Sequence, residues 1–221
     1  KYSLPRMIFI TNMDFDNASF RKITEDLTEQ FGKKIAPIHF PIRENEKFTG
    51  YVNVVKKAGR KWLEKGQKEE CPIPGYLDEY LEKYRETLLE AVAETSEEFM
   101  DRYFAGEEFS VHEIMMALTQ NVSSGDIVPV AMGSPVQLRG VANLLDDIVQ
   151  YFPSPDKRSV AGINTKTNEI FEANYDFAKA KSAQVFKTIV DPFIGKYSMI
   201  KVKSGVIKSD DVIFNIDKDA E

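Results

Sequence analysis

The stretch Phe9-Ile10-Thr11-Asn12-Met13-Asp14 joins an apolar strand to a polar loop, and the pattern of the fold follows from it. The residues Arg6–Thr11, RMIFIT, have the composition of a buried strand. A polar turn follows over Asn12–Asn17, and apolar residues then recur at helical spacing: Phe20, Ile23, Leu27 and Phe31. The chain is therefore predicted to begin with a strand, a loop and a helix.

A second unit of the same kind is predicted nearer the carboxyl end. Asp126–Met132, DIVPVAM, has a buried-strand pattern and is followed by a Gly-Ser-Pro loop. A helix with an apolar face comes next, carrying Val141, Leu144, Leu145, Ile148 and Val149. A further strand is expected at Lys34–Pro41, KIAPIHFP. Strands that alternate with helices predict an α/β fold class.

The residues between these units have a more irregular pattern. Short strands are expected within Phe48–Val55 and Lys61–Leu63. After the break at Pro72–Gly75, apolar residues at helical spacing predict a long amphipathic helix that is interrupted near Ser96. We expect a small subdomain of mixed helices and strands here.

Ser110 and Glu113 give the clearest helix-start signal in the chain, because they have the S-x-x-E spacing of a capping box. A helix is therefore expected to start at Val111 and to bury three apolar side chains. These are Ile114, Met115 and Leu118.

The carboxyl-terminal part has the pattern of a separate domain. A polar stretch from 156 to 181 is predicted to be a linker, since Pro153-Ser154-Pro155 ends the preceding helix. Strands are then expected at Ala183–Val190, Tyr197–Val202 and Val212–Ile216. Three strands cannot close a barrel, so we expect only the start of a β-barrel.

Composition excludes several classes of function. The 221 residues are 43% hydrophobic, enough for one or two domains, and no apolar stretch is long enough to span a membrane. The net charge of −6 gives no general attraction to nucleic acid. Cys71, the single cysteine, is interpreted as an inert thiol in a cytoplasmic protein, and with two histidines it cannot form an ordinary zinc site.

Asp14 is the first residue whose position suggests a chemical role. It ends a buried strand where a loop begins, as does the aspartate of the N-K-x-D motif in P-loop GTPases. A carboxylate there accepts hydrogen bonds from guanine N1–H and the 2-amino group. The second candidate is Pro129–Pro135, again a buried strand that leads into a short loop; in GTPases the corresponding S-A-x loop packs under the base, and its backbone N–H reaches guanine O6. The phosphate-binding G-x-x-x-x-G-K-[ST] loop is absent from the sequence, so we predict no catalytic residue and no metal site within it.

Several longer segments resemble elongation factor G. They are Ile73–Ser110, Gly125–Ser134, Gly140-Val141, Tyr151–Pro155 and Val185–Val212. The resemblance spans Phe9–Asn215 and implies the carboxyl-terminal half of a P-loop GTPase domain over residues 1–155, without the P-loop and switch regions. It also implies an inserted α+β subdomain at about 41–124, a linker at 156–181 and the start of a β-barrel second domain at 182–221.

The resemblance carries expectations about activity. The parent protein would be a ribosome-dependent translational GTPase that promotes translocation during protein synthesis, using GTP or GDP with magnesium, and this chain alone would be inactive. The inserted subdomain of the family faces the ribosomal stalk. An acidic helix face is then a candidate stalk contact, or else an ordinary solvated surface: Glu79, Glu82, Glu86, Glu90 and Asp101.

Departures from the family pattern concern the predicted guanine-binding residues, Thr11, Asn12, Asp14, Ser134 and Pro135. Thr11 and Asn12 replace Asn and Lys, and Pro135 replaces an alanine whose N–H would bind guanine O6. One missing hydrogen bond to a buried acceptor costs about 1–3 kcal/mol, or about 5- to 150-fold in affinity. An alternative is therefore a ribosome-binding factor with weak or lost nucleotide turnover. Ribosomal protection proteins and peptide-release GTPases fit the inserted subdomain less well.

Three other side chains are expected to have structural roles or none. His39 is interpreted as a structural or exposed histidine, Trp62 as a packing residue, and His112 is assigned no function. An open sheet edge could also let two copies pair.

Overall fold

A computed structural model describes residues 4–64, 67–157, 160–164 and 166–219. These residues contain five α-helices and eleven β-strands, which confirms a mixed α/β chain. The chain divides into two compact units, Lys1–Pro153 and Ser154–Glu221. None of the helices in the described ranges is both long and apolar enough to cross a membrane.

The first sheet of the amino-terminal unit has three parallel strands. They are β1 (Ile8–Ile10), β2 (Ile35–Pro37) and β7 (Val128–Met132), in the order β1–β7–β2. All five residues of β7 are buried, as expected for the central strand of a parallel sheet. Because β1 and β7 are parallel neighbours, the loops that follow them leave the same edge of the sheet.

The second sheet is antiparallel, with its four strands in chain order. They are β3 (His39–Glu44), β4 (Lys47–Asn53), β5 (Ala58–Trp62) and β6 (Lys68–Cys71). The single strand predicted at Lys34–Pro41 is wrong in one respect, since it is split between the two sheets. Ile38 makes the junction: its N–H donates to the Val130 carbonyl at 2.9 Å, and its own carbonyl accepts from the Val54 N–H at 2.9 Å.

Five helices cover these sheets: α1 (Phe20–Phe31), α2 (Asp78–Ala93), α3 (Glu97–Phe104), α4 (Val111–Ser124) and α5 (Val141–Tyr151). The predicted interruption near Ser96 is confirmed, because the Ser96 hydroxyl accepts from the Phe99 N–H at 3.2 Å and starts α3. The capping box is also confirmed, with Ser110 and Glu113 each accepting from the backbone N–H of the other. Ile114 and Leu118 are fully buried, as predicted, whereas Met115 is only half-buried.

The predicted face of α1 is only partly correct. Phe20 is buried and Leu27 packs against the core, but Ile23 and Phe31 are exposed. Thr24 is buried in their place and donates its hydroxyl proton to backbone carbonyls one turn earlier.

The predicted apolar face of α5 is wrong. Leu145, Ile148 and Val149 are exposed, and the side chains that α5 buries are Asn143, Asp147 and Tyr151. These three residues are spaced by four and lie on one face of the helix. This partly polar face lines a polar cavity, which is described below.

Aromatic side chains fill the core on one side of the second sheet. Trp62 is buried and stacks on Tyr51 with ring centroids 5.0 Å apart, which confirms its predicted packing role. Arg85 of α2 is buried nearby, and its guanidinium donates to the carbonyls of Val54 and Val55. These bonds fasten α2 to the turn after β4.

The carboxyl-terminal unit contains two antiparallel hairpins. The predicted linker includes the first, β8 (Val160–Ile163) with β9 (Ile170–Ala173), so a linker without secondary structure was wrong. The second pairs β10 (Ser182–Asp191) with β11 (Gly195–Ser204), close to the predicted strands. The strand predicted at Val212–Ile216 is absent from this described segment, where Asn215 Oδ1 instead accepts from two following N–H groups in a turn.

Candidate functional site

The two loops that carry the predicted guanine-binding residues meet at one edge of the parallel sheet. The Gly133 N–H donates to the Ile10 carbonyl at 2.9 Å, and the Met13 N–H donates to the Gly133 carbonyl at 3.2 Å. Gly133 therefore bonds the end of β1 through its N–H and the start of the loop after β1 through its carbonyl. The arrangement brings Asp14 and Ser134 onto adjoining loops.

The first loop is anchored by Met13, which is fully buried. Thr11 and Asn12 before it are exposed, and Asp14 after it is half-buried. Asn12 has a left-handed backbone with φ 60°, and its carbonyl accepts from the Phe15 N–H at 3.1 Å to close a tight turn. The side chains on each side of Met13 consequently face away from the core, where a ligand could reach them.

The second loop is closed by paired backbone bonds between Ser134 and Arg139. The Ser134 N–H donates to the Arg139 carbonyl at 2.8 Å, and the Arg139 N–H donates back at 3.0 Å. The buried Ser134 hydroxyl accepts from the Gln137 N–H at 3.3 Å. Pro135, which is exposed, has no N–H. Neither residue has a backbone donor left for a guanine carbonyl.

Two glycines allow the loops to approach so closely. A Cβ on Gly133 would overlap the Arg139 carbonyl oxygen and lie 2.7 Å from the Phe9 ring. A Cβ on Gly140 would lie 2.5 Å from the Met132 carbonyl oxygen, and φ there is +83°. Both positions therefore require the absence of a side chain.

Arg43 is a site residue that sequence reasoning missed. Its guanidinium donates to the carbonyls of Met13 at 2.6 Å and Phe15 at 2.9 Å, and to the Glu46 carbonyl at 2.7 Å. A side chain from β3 of the second sheet thus fixes the loop after β1. Arg139 acts similarly on the other loop, because its guanidinium donates to the Phe48 carbonyl of β4. Arginines directed at backbone carbonyls leave no motif, so no local signal indicates them.

The acidic candidates for a stalk contact are divided between two helices. Glu79, Glu82, Glu86 and Glu90 recur every three or four residues along one face of α2. The first three are exposed and Glu90 is half-buried, whereas Asp101 is exposed on α3. The four glutamates form a continuous acidic stripe on α2.

Metal-binding groups do not assemble within the described part of the chain, where no group of three or more His, Cys, Asp or Glu side chains could hold an ion. Cys71 is half-buried, and burial raises the pKa of its thiol. A thiol with a raised pKa is a poor nucleophile at neutral pH. His112 is exposed at the first turn of α4.

Comparison with known proteins gives a match to a solved structure. No family model matches the chain. The crystal structure of ttk003000868 from Thermus thermophilus is similar, with a TM-score of 0.74 and 30% sequence identity over 95% of this chain. The chain spans only 29% of the length of that protein. The similarity therefore concerns one part of a much longer molecule.

Proposed function

We propose that this chain is part of a translational GTPase similar to elongation factor G, and that its two joined loops bind the guanine base. The observation that carries the proposal is the pair of hydrogen bonds through Gly133, which unites the loops after β1 and β7 at one sheet edge. Ligands of open α/β sheets bind at the carboxyl ends of the strands, where these loops lie.

Asp14 is the base-selecting residue in this proposal. Its carboxylate would accept from guanine N1–H and the 2-amino group, whereas adenine offers an unprotonated N1 and no 2-amino group. Thr11 and Asn12 would border the base, and Ser134 would shape the loop beneath it through its bond to Gln137. The P-loop, the switch regions and the magnesium site would belong to other parts of the longer protein.

The longer protein would use GTP hydrolysis on the ribosome to promote translocation in the cytoplasm. Support comes from the match to a chain more than three times as long, which 95% of this chain aligns with. Exposed apolar side chains on α5 and on the β10–β11 hairpin fit the same idea, since large uncovered apolar surfaces mark contacts with other chain segments. The acidic stripe on α2 would be the stalk contact.

A second candidate function, a ribosome-binding factor with weak or lost nucleotide turnover, is favoured by the second loop. The Ser134 N–H is used within the loop and Pro135 has none, so neither position can donate to guanine O6. Loss of that bond is worth about 1–3 kcal/mol, or about 5- to 150-fold in affinity. Nucleotide affinity in the longer protein is therefore the quantity that separates the two candidates.

Calorimetric titration of GDP, GTP and ADP into the longer protein tests the proposal, followed by a GTPase assay with and without ribosomes. Guanine-selective binding with ribosome-stimulated turnover supports the translational GTPase. Ribosome binding without turnover supports the alternative. A protein that binds neither guanine nucleotides nor ribosomes refutes both.

A further inference from the structure

A polar cavity of about 410 Å³ lies between the second sheet and helix α5, away from the two loops of the candidate site. Strands β3, β4, β5 and β6 contribute one wall and α5 with α4 the other. The polar side chains that matter most are His39, Asn53, Lys56, Lys68, Asn143 and Asp147. None of the predicted guanine-binding residues lines this cavity.

The tautomer of His39 follows from its neighbours. Asn53 Oδ1 accepts from the Lys56 N–H at 2.8 Å, which leaves the Asn53 amide nitrogen as the atom facing His39 Nε2 at 3.1 Å. That nitrogen can only donate, so Nε2 accepts and the neutral ring carries its proton on Nδ1. His39 Nδ1 lies 3.3 Å from Asp147 Oδ2, without the alignment of a hydrogen bond.

Asp147 is consequently a buried acid with an unmet bonding need. It is only 8% exposed, and no donor among the described residues bonds its Oδ2. Burial, with Asp146 beside it, raises the pKa of Asp147 to about 7. Burial, with Lys68 and Lys56 nearby, lowers the pKa of His39 to about 3. A buried oxygen without a partner is unfavourable, and native proteins usually supply one.

Cationic side chains line the cavity that contains this unpartnered oxygen. Lys56, Arg60 and Lys68 all line the cavity, against the two carboxyl groups of Asp146 and Asp147. Lys68 Nζ lies 3.2 Å from Asn143 Oδ1 and 3.6 Å from Asp146 Oδ2, so it is already directed toward α5. Arg60 is paired with Glu70 at 2.5 Å and is less free to turn inward.

We propose that this cavity binds a small oxyanion that keeps a proton of its own, namely a protonated phosphate group. Its hydroxyl would donate to the unpartnered Asp147 Oδ2, and its charged oxygens would accept from the ammonium groups of Lys56 and Lys68. Charge-assisted bonds of this kind are the strong ones in a partly buried site. Where Asp147 is ionised, the free hydrogen phosphate ion keeps this proton, whereas a phosphate monoester, with a second pKa of about 6, has lost it.

Other ligand classes fit the cavity less well. A cation would meet three basic side chains. Sulfate has the size and charge of phosphate but no proton at neutral pH, so it would face Asp147 Oδ2 with an oxygen and leave the bond unmade. Phosphate against sulfate is therefore the discriminating comparison.

The test is a proton NMR titration of the 221-residue chain with inorganic phosphate, methyl phosphate and sulfate at about pH 8, where Asp147, whose pKa is raised to about 7, is ionised and the free phosphate ion still carries one proton. The chain has two histidines, so the imidazole signal of His39 reports on the cavity and that of His112 is an internal control. Phosphate is expected to shift the His39 signal alone and to bind about tenfold more tightly than sulfate, the value of one hydrogen bond to a charged group. Methyl phosphate carries no proton at this pH and should bind no more tightly than sulfate; equal affinity for phosphate and methyl phosphate would overturn the bond from the ligand hydroxyl to Asp147.

Two variants test the assignment of the contacts. Lys68→Met should weaken phosphate at least about tenfold. Lys83→Met, which removes a surface lysine paired with Glu25 on other elements, should change it less than about twofold. Asp147→Asn should bring phosphate and sulfate to similar affinities, because an amide can donate to either ion. The proposal is overturned if His39 does not respond, if sulfate matches phosphate in the unaltered chain, or if both lysine variants behave alike.

Discussion

Substitution of Gly140 by alanine should destabilise the amino-terminal unit through a backbone collision at the candidate site. The new Cβ would lie 2.5 Å from the Met132 carbonyl oxygen and 3.0 Å from Gly133 Cα, and neither atom belongs to a flexible side chain. The residue would also keep φ near +83°, where an alanine is strained. The collision would displace the Met132–Gly133 peptide, whose N–H bonds the Ile10 carbonyl and so joins the two loops.

The expected loss in the free energy of unfolding is the sum of two contributions. A left-handed backbone costs a residue with a Cβ about 1–2 kcal/mol, and overpacking costs typically about 1–3 kcal/mol. We expect Gly140→Ala to lower the free energy of unfolding by about 2–5 kcal/mol. Gly106→Ala is the matched control, because Gly106 has φ +72° but no atom within 4 Å of its Cβ. Gly106→Ala should therefore lose only the cost of the left-handed backbone, about 1–2 kcal/mol.

Urea unfolding followed by far-ultraviolet circular dichroism at the helical minimum measures both variants. All five described helices lie before residue 154, so this signal reports the amino-terminal unit. The difference between the two variants isolates the collision. If Gly140→Ala loses no more free energy of unfolding than Gly106→Ala, the close approach of Gly140 to the Met132–Gly133 peptide does not constrain the fold and the reasoning fails.

Three further predictions follow from single contacts. Leu118→Ala empties a fully buried position in α4 and should cost about 2–5 kcal/mol in urea unfolding, with a cost below about 1 kcal/mol contradicting the packing. Ser110→Ala removes the helix cap of α4 and should cost about 0.5–2 kcal/mol, while Ser123→Ala, near the other end of the helix, should cost less. The pair of His39 and Asp147 binds one proton from about pH 4 to 6.5 in both states, since the pKa of His39 is lowered to about 3 and that of Asp147 is raised to about 7. Asp147→Asn leaves only the lowered pKa of His39, so its free energy of unfolding, relative to the unaltered chain, should fall by about 1 kcal/mol per pH unit below about pH 6. A difference between the two chains that does not vary with pH would contradict this.

Local signals explain which elements could be predicted. The break between α2 and α3 is set by Ser96, and the start of α4 by Ser110 and Glu113, all within a few residues of the helix they affect. The alternation of strands and helices was sufficient for the α/β class. These features need no information from distant parts of the chain.

Long-range contacts explain what could not be predicted. Strand β2 ends at Pro37, and the next residue, Ile38, bonds Val130 of the first sheet on one side and Val54 on the other. The predicted inward face of α5 was wrong, and the partners of its buried polar residues are distant in the chain: Asn143 accepts from Lys68, 75 residues away, and Asp147 lies beside His39. Strand β6 was missed since its sequence, KEEC, is mostly charged.

In the candidate site, too, some features could be predicted from local sequence and others could not. The loops after β1 and β7 could be predicted to lie close, since both follow apolar strands of the same type and parallel neighbours end at one edge. Arg43 and Arg139 could not, because their partners are backbone carbonyls that any sequence possesses. The bond that uses the Ser134 N–H was also hidden, and it matters most for nucleotide affinity.

Asp14→Asn in the longer protein, titrated with GDP by calorimetry, tests the central claim most directly. Asp16→Asn is the control, because Asp16 is an exposed carboxylate on the same loop. We expect Asp14→Asn to weaken GDP by about tenfold or more, since hydrogen bonds to a charged group are worth about 1.5–3 kcal/mol, and Asp16→Asn to leave binding within about twofold. Equal GDP affinity in the two variants would contradict the assignment of Asp14 to the guanine base.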